Sequence, residues 1–126
     1  MVDLGNDLFV ENHEIGKVWR IQVKTALPKQ ANPNYFQFTI RETAIHDPSS
    51  TVSHFVFVLR VHSRWRMYIV AQPVLSNYAK KGMGSHVTNT GHRTFTFIFD
   101  PSTKSVSCSG VDISIHKNDW ATWPQI

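Results

Sequence analysis

The chain has 126 residues, of which 41% are hydrophobic and 17% are charged. This length fits one domain, and the composition excludes a long disordered chain, which would be poorer in apolar residues and richer in charge. Thirteen Lys and Arg against nine Asp and Glu give a net charge of +4. We therefore expect a basic surface that attracts polyanions such as nucleic acid.

Cysteine usage and hydropathy indicate the compartment. Cys108 is the one cysteine of the sequence, which excludes an internal disulfide and a cysteine-based zinc site. A reducing, cytoplasmic location is therefore expected. The first seven residues are too polar and acidic for a signal peptide, and the longest apolar run, residues 55–59, is far too short to cross a membrane. We expect no membrane association.

The first two predicted strands are residues 7–11 and 18–27, joined by a turn in which Gly16 can adopt a positive φ. The second strand alternates in polarity. Its apolar face carries Trp19, Ile21 and Val23, and its polar face carries Arg20, Gln22 and Lys24. We predict an antiparallel hairpin whose second strand lies centrally in a sheet.

Further elements follow in chain order. Strands are predicted at residues 35–41, at 54–61 as a strand buried on both faces, at 66–71, at 94–100 and, briefly, at 111–115. Residues 28–34, 46–53 and 82–91 are predicted loops, and 73–81 is a helix that begins near Pro73 and ends at Gly82. Residues 117–120 open a short helix or coil. The pattern predicts an α/β or α+β domain with one mixed or antiparallel sheet and few helices.

The polar face of the second strand carries the most distinctive chemistry. The side chains of Gln22 and Lys24 lie roughly 6–7 Å apart along a strand, which sets an amide oxygen beside an ammonium group. Asp7 on the preceding strand could complete a site. Oxygen ligands of this kind suit Mg²⁺, and a neighbouring lysine can orient water or stabilise phosphate charge.

An Asp on one strand followed, across a hairpin, by an acidic-x-Lys motif on the next strand is the pattern of the PD-(D/E)xK nuclease superfamily. This chain resembles it through Asp7, in Gly-Asn-Asp-Leu-Phe-Val, and Lys24, in Ile-Gln-Val-Lys-Thr-Ala. The resemblance implies a restriction-endonuclease-like fold and a metal-dependent nucleic-acid hydrolase acting on DNA. It further implies that Asp7, Gln22 and the Val23 carbonyl bind Mg²⁺ or Mn²⁺, with Lys24 as the catalytic lysine.

The sequence departs from that family in two ways. Gln22 stands where the motif has an acidic residue, and an amide oxygen binds Mg²⁺ less tightly than a carboxylate does. With six residues before Asp7, we also expect the chain to lack the family's first helix, which carries a Glu into the site. Either the chain is a reduced version, or a partner chain supplies the missing wall. We expect a homodimer, since the uncovered sheet would otherwise expose apolar surface.

Other interpretations stay open. The polar face of residues 18–27 is also typical of a solvated strand surface. A non-catalytic nucleic-acid-binding module that kept the nuclease fold is an alternative, and so is a protein-interaction module with an exposed strand edge. The seven histidines are scattered, without the i, i+4 pair of a helical zinc site.

Candidate nucleic-acid contacts lie in three places. Arg64, Trp65 and Arg66 combine basic and aromatic groups that could hold a backbone and stack a base, although Trp65 could instead cover the core edge at a hairpin tip. Lys80 and Lys81 precede a glycine-containing loop that could approach phosphates, or they could simply end a helix. Arg20 lies on the same strand face as Gln22 and Lys24.

Overall fold

The computed structural model describes residues 6–46, 52–87, 89–121 and 123. The side chains of Asn6 and Asp7 are outside this description. Within it, nine strands form two sheets, accompanied by two α-helices and a single turn of 3-10 helix, Ser114–His116. The protein is therefore a sheet-dominated fold of the α+β class.

The first sheet has the strand order β1-β2-β4-β5. These strands are β1 (Asn6–Asn12), β2 (Lys17–Ala26), β4 (Val52–Val61) and β5 (Arg64–Ala71). β1 pairs with β2 antiparallel, β2 pairs with β4 parallel, and β4 pairs with β5 antiparallel. The predicted hairpin and the central position of its second strand are confirmed, and Gly16 in the connecting turn has a φ of 65°.

The second sheet is built around β7 (His92–Phe99). β3 (Tyr35–Arg41) pairs along one side of β7, while β6 (Ser85–Val87) and β8 (Val106–Cys108) pair with its opposite ends, and β9 (Val111–Asp112) follows β8. All these pairs are antiparallel. The expectation of one sheet is therefore wrong: the strand at residues 35–41 was correctly located, but it belongs to a different sheet from its neighbours in sequence.

The two sheets pack face to face through an aromatic core. Phe57 on β4 lies 5.0 Å from Phe38 and 4.9 Å from Phe97, measured between ring centres. These three side chains are at most 3% exposed. Offset and edge-on ring contacts of this kind add to the free energy gained by burial. The strict alternation of buried and exposed residues along β3 follows from having this core on only one of its faces.

A smaller apolar cluster covers the other face of the first sheet. Ile21, Val56 and Ile69 form its buried centre, and Trp19, Val23 and Trp123 are among the residues packed around them. Because apolar residues of β4 also face the aromatic core, this strand is buried on both faces, as its continuous apolar sequence predicts. We refer to the two sides of the first sheet as its inner face, toward the second sheet, and its outer face.

Two helices lie among the described residues: α1 (Glu42–His46) and α2 (Gln72–Lys80). α2 has Pro73 in its first turn and ends in a Schellman motif, in which the amide of Met83 donates to the Tyr78 carbonyl and Gly82 has a φ of 100°. α1 was not predicted, and β6 lies in a segment predicted as a loop, since each is too short to show a periodicity. Neither helix is long and apolar enough to span a bilayer.

Candidate functional site

Gln22 and Lys24 face the interior of the protein. The pairing of β2 with β4 aligns Gln22 with Phe55 and Lys24 with Phe57, and both phenylalanines belong to the aromatic core. Neighbours aligned in this way share a sheet face. The two polar side chains therefore share the inner face of the first sheet, as predicted for a common site.

Lys24 is buried, with 8% of its surface exposed. The alternative of a solvated strand face is therefore wrong at Lys24, and Arg20 and Gln22 are half-buried. Lysine is rarely buried, because removing an ammonium group from water costs free energy unless other groups compensate for it. An apolar residue would satisfy packing at this position more simply.

The amide oxygen of Gln22 is an unused acceptor. Oε1 is inaccessible to solvent and has no hydrogen-bond partner among the described residues. A buried carbonyl oxygen without a partner costs about 1–3 kcal/mol relative to one that is bonded. Such an oxygen is chemically suited to bind a hard cation, for which neutral carbonyl oxygens are common ligands.

The strand register brings the other two predicted ligands beside Gln22. Asp7 is the direct cross-strand partner of Gln22 in the β1–β2 hairpin, although its side chain lies outside the described part of the structure. Val23 pairs with Asn6 on one side and Val56 on the other. Its side chain packs in the outer cluster, so only its carbonyl is a candidate ligand, as predicted.

Metal-ligating side chains are otherwise sparse. Within residues 6–46, 52–87, 89–121 and 123, no group of three or more His, Cys, Asp and Glu could hold a metal ion. The predicted oxygen set of Asp7, Gln22 and the Val23 carbonyl fits Mg²⁺ or Mn²⁺ in ligand type, with Asp7 as its one carboxylate. A cation held there would be bound weakly.

The candidate nucleic-acid residues are spread over different surfaces. Trp65 and its cross-strand partner Arg60 lie on the outer face near the β4–β5 hairpin tip, whereas Arg64 and Arg66 pair with Val61 and Leu59 of the inner face. Trp65 is 54% exposed, so it does not cover the core edge. Arg20 lies at an irregularity in the β2–β4 pairing, well separated along the strands from the hairpin tip.

Lys80 and Lys81 lie at the end of α2. The amides of Lys81, Gly82 and Met83 donate to carbonyls of the last helical turns, and the amide of Gly84 donates to the Ser109 hydroxyl. These amides are therefore occupied, and they do not form the phosphate-binding loop considered from the sequence. Both lysines are exposed, so any contact they make with nucleic acid would come from their side chains.

Lys81 also borders a cavity of about 310 Å³ between the end of α2 and the β8–β9 hairpin. Tyr78, Met83 and Val111 are among its lining residues. The Tyr78 hydroxyl lies 2.8 Å from Nε2 of buried His116. Burial lowers the pKa of His116, although the charge of Asp119 opposes that shift. None of the predicted metal ligands borders this cavity.

A second polar cluster, around Glu42, was missed from the sequence. One carboxylate oxygen of Glu42 accepts from Nε of Arg93 at 2.7 Å and lies 3.1 Å from Nδ1 of His86, and the other lies 2.9 Å from Nε2 of His46. Nδ1 of His46 lies 2.9 Å from the Ser76 hydroxyl. This cluster links α1 to α2, β6 and β7. The i, i+4 spacing of Glu42 and His46 was the signal that could have identified it.

The protonation of Glu42 reflects these contacts. Burial by itself would raise the pKa of the carboxyl group, but hydrogen bonds with His86 and Arg93 and the charge of Arg93 outweigh it. The pKa of Glu42 therefore lies below its ordinary value of 4.5. The side chains of Glu42 and Arg93 are 18% and 16% exposed, so this ion pair is largely shielded from solvent.

Comparison of the chain with protein-family models, with curated proteins and with solved structures found no match.

Proposed function

We propose that the chain is a metal-dependent nucleic-acid phosphodiester hydrolase, or a domain derived from one, with a restriction-endonuclease-like origin. One observation carries the proposal: a buried lysine, Lys24, shares an interior strand face with Gln22, whose cross-strand partner is Asp7. A lysine two residues after an oxygen ligand, next to an Asp on the adjoining strand, is the arrangement of the PD-(D/E)xK pattern that this chain resembles.

In the proposed site, Asp7, the Gln22 amide oxygen and the Val23 carbonyl would hold Mg²⁺ or Mn²⁺. A cation bound there would supply Lewis acidity for the hydrolysis. Lys24 would place its ammonium group beside a scissile phosphate that reaches the inner face of the first sheet, where it would orient the attacking water and stabilise the charge that develops on the phosphate oxygens. Water is added across one P–O ester bond, giving a phosphomonoester and an alcohol.

The test is cleavage of plasmid and oligonucleotide DNA in Mg²⁺, in Mn²⁺ and in chelator. We expect metal-dependent cleavage by the wild type, with Mn²⁺ the better cofactor because it accepts neutral ligands more readily. Lys24→Met, which keeps most of the buried volume, should abolish cleavage without loss of the folded structure by circular dichroism. Lys29→Met alters an exposed lysine in a loop and should cleave like the wild type.

Cleavage that persists in Lys24→Met would contradict the proposed role of Lys24. Absence of cleavage by the wild type in both metals would reject the hydrolase. Salt-dependent DNA binding in that case would favour the second candidate, a non-catalytic nucleic-acid-binding module. That candidate is supported by the neutral Gln22 and by the basic, aromatic tip of the β4–β5 hairpin.

The proposal includes a homodimer. β1 is an edge strand of the first sheet, and its Leu8 and Phe9 side chains are 51% and 67% exposed. An exposed edge strand with apolar side chains tends to pair with another chain. A second copy that pairs there would lie next to the Asp7–Gln22 position, where it could supply the wall and the acidic residue that the family's first helix provides.

A further inference from the structure

The tip of the β4–β5 hairpin presents an ordered tryptophan to solvent. His62 and Ser63 form the two-residue turn, both at positive φ, 46° and 66°, which is the backbone of a tight hairpin turn. Trp65 follows on the edge strand β5 and is 54% exposed. The guanidinium of its cross-strand partner Arg60 lies 4.7 Å from the centre of the Trp65 ring.

This contact orders the indole and leaves part of it open. A guanidinium at this distance is attracted to the aromatic ring and restricts the rotation of both side chains. Arg60 lies over the ring, and just over half of the Trp65 surface remains exposed. The Trp65 side chain therefore has reduced conformational freedom before any ligand binds. It offers an apolar ring with the positive charge of Arg60 next to it.

Within the two strands of the hairpin, the side chains that are charged at neutral pH are all positive. β4 and β5 contain three arginines and no acidic residue. Arg64 is exposed at the tip. Arg66 stacks on Phe99 at 4.8 Å and donates from Nη1 to the Lys104 carbonyl, so it is fixed against the neighbouring turn. The nearest acidic side chain in that turn, Asp100, accepts hydrogen bonds from Ser102.

We infer that this hairpin tip binds unpaired bases of a single-stranded nucleic acid, with one base stacked on the exposed surface of Trp65 and Arg60 and Arg64 near the flanking phosphates. The inference rests on the proposed nucleic-acid function and specifies its substrate. Base stacking on an aromatic side chain requires a base whose face is free. In a duplex the base faces are stacked inside the helix, so a tryptophan could stack on a base only at the cost of unstacking a base step.

The experiment measures fluorescence anisotropy with a labelled oligo(dT) and with a duplex of equal length. We expect tighter binding to the single strand. Trp65→Leu should weaken that binding by about 5- to 150-fold, the range for losing one stacked base, and Trp65→Phe should restore part of it. Trp120→Leu is the matched control: Trp120 is also exposed, at 44%, but lies near the C-terminus, and it should bind within about two-fold of wild type.

Charge is tested separately. Arg60→Gln should make the plot of log affinity against log salt less steep, by the amount expected for the loss of about one phosphate contact.

Single-strand binding by Trp65→Leu equal to that of the wild type would overturn the inference. Binding of the duplex at least as tight as binding of the single strand would also overturn it. Lys29→Met, at an exposed position outside the proposed site, should bind oligo(dT) like the wild type. Single-strand binding by a wild type that does not cleave would support this inference while rejecting the hydrolase. DNA cleavage by the wild type, together with unchanged single-strand binding by Trp65→Leu, would support the hydrolase and reject this inference.

Discussion

The carboxylate of Glu42 accepts a hydrogen bond of 2.7 Å from Nε of Arg93, and the guanidinium of Arg93 also donates to the Met83 carbonyl at 2.8 Å. Arg93 thereby ties the start of α1 to β7 and to the segment that follows α2. Because both ionic side chains are largely shielded from solvent, removing one of them would leave the other poorly compensated.

We predict that Glu42→Gln lowers the free energy of unfolding at pH 7 by about 1–3 kcal/mol. The pKa of Glu42 is lower in the folded protein than its ordinary value of 4.5. Below about pH 5 and down to the folded pKa, the unfolded chain therefore binds more protons than the folded protein does. The free energy of unfolding of the wild type should fall as the pH drops through this range. Urea unfolding between pH 3 and about 7 measures this.

Glu42→Gln should lose less stability with acid than the wild type does. Glu14→Gln, at an exposed position in the β1–β2 turn, is the control and should follow the wild-type curve. Identical pH dependence in Glu42→Gln and wild type would show that the Glu42 cluster contributes nothing to acid stability.

The unused oxygen of Gln22 leads to a second prediction. In chelator, Gln22→Met should be more stable than the wild type by up to about 1–3 kcal/mol, because it removes a buried acceptor that has no partner among the described residues. Adding Mn²⁺ should raise the melting temperature of the wild type but not of Gln22→Met, since a ligand that binds the native state stabilises it by mass action.

Gln22→Glu should behave in the opposite way. A buried carboxylate is expected to lower stability in chelator and to increase the stabilisation by Mn²⁺. Differential scanning calorimetry with and without metal would compare all three proteins. A Gln22→Met protein that is less stable than wild type in chelator would mean that Oε1 is already satisfied in the folded state.

Self-association is the third prediction. Sedimentation velocity at tens of micromolar should show a dimer for the wild type and a monomer for Phe9→Lys, because a charge at the β1 edge opposes pairing between copies. Ile115→Lys replaces a side chain that is 75% exposed elsewhere on the surface and should remain dimeric. A monomeric wild type would reject the homodimer.

Gly84 and Gly110 provide a matched pair for the fourth prediction. Both have a positive φ, 79° and 80°, but a Cβ at Gly84 would lie 2.8 Å from the Thr94 carbonyl oxygen, whereas a Cβ at Gly110 would meet nothing within 4 Å. Gly110→Ala should lower the free energy of unfolding by about 1–2 kcal/mol, because of backbone strain. Gly84→Ala should lower it by about 1–3 kcal/mol more, because of the steric clash. Equal midpoints of urea unfolding would contradict this.

Local patterns were sufficient to locate most strands. The alternation in residues 35–41 and the apolar run in 54–61 reflect burial on one face and on two faces, and these signals are written into the sequence itself. The sheet to which a strand belongs does not follow from such a local pattern. A period of two residues identifies a strand but not its partner, so the pairing of β3 with β7 rather than with the β1–β2 hairpin could not be deduced.

The candidate site was only partly predictable for the same reason. The spacing of Gln22 and Lys24 sets them on one face, and the hairpin aligns Asp7 with Gln22, as expected from the sequence. A polar face is normally assigned to solvent, however, and nothing local indicates that Lys24 is buried. The Glu42 cluster depends on β6 pairing with β7, which aligns His86 with Arg93, and β6 has only three residues.

The parallel pairing of β2 with β4 has a consequence for how the chain folds. Parallel neighbours cannot be joined by a tight turn, and the crossover between them includes β3, a strand of the second sheet. The first sheet is therefore complete only when β4 has paired with β2 across an intervening strand of the second sheet. The two sheets are interleaved in sequence, so neither has a contiguous stretch of chain from which to form alone, and folding should be slow for a chain of this size. Equilibrium unfolding should then occur as one cooperative transition, with both sheets lost together.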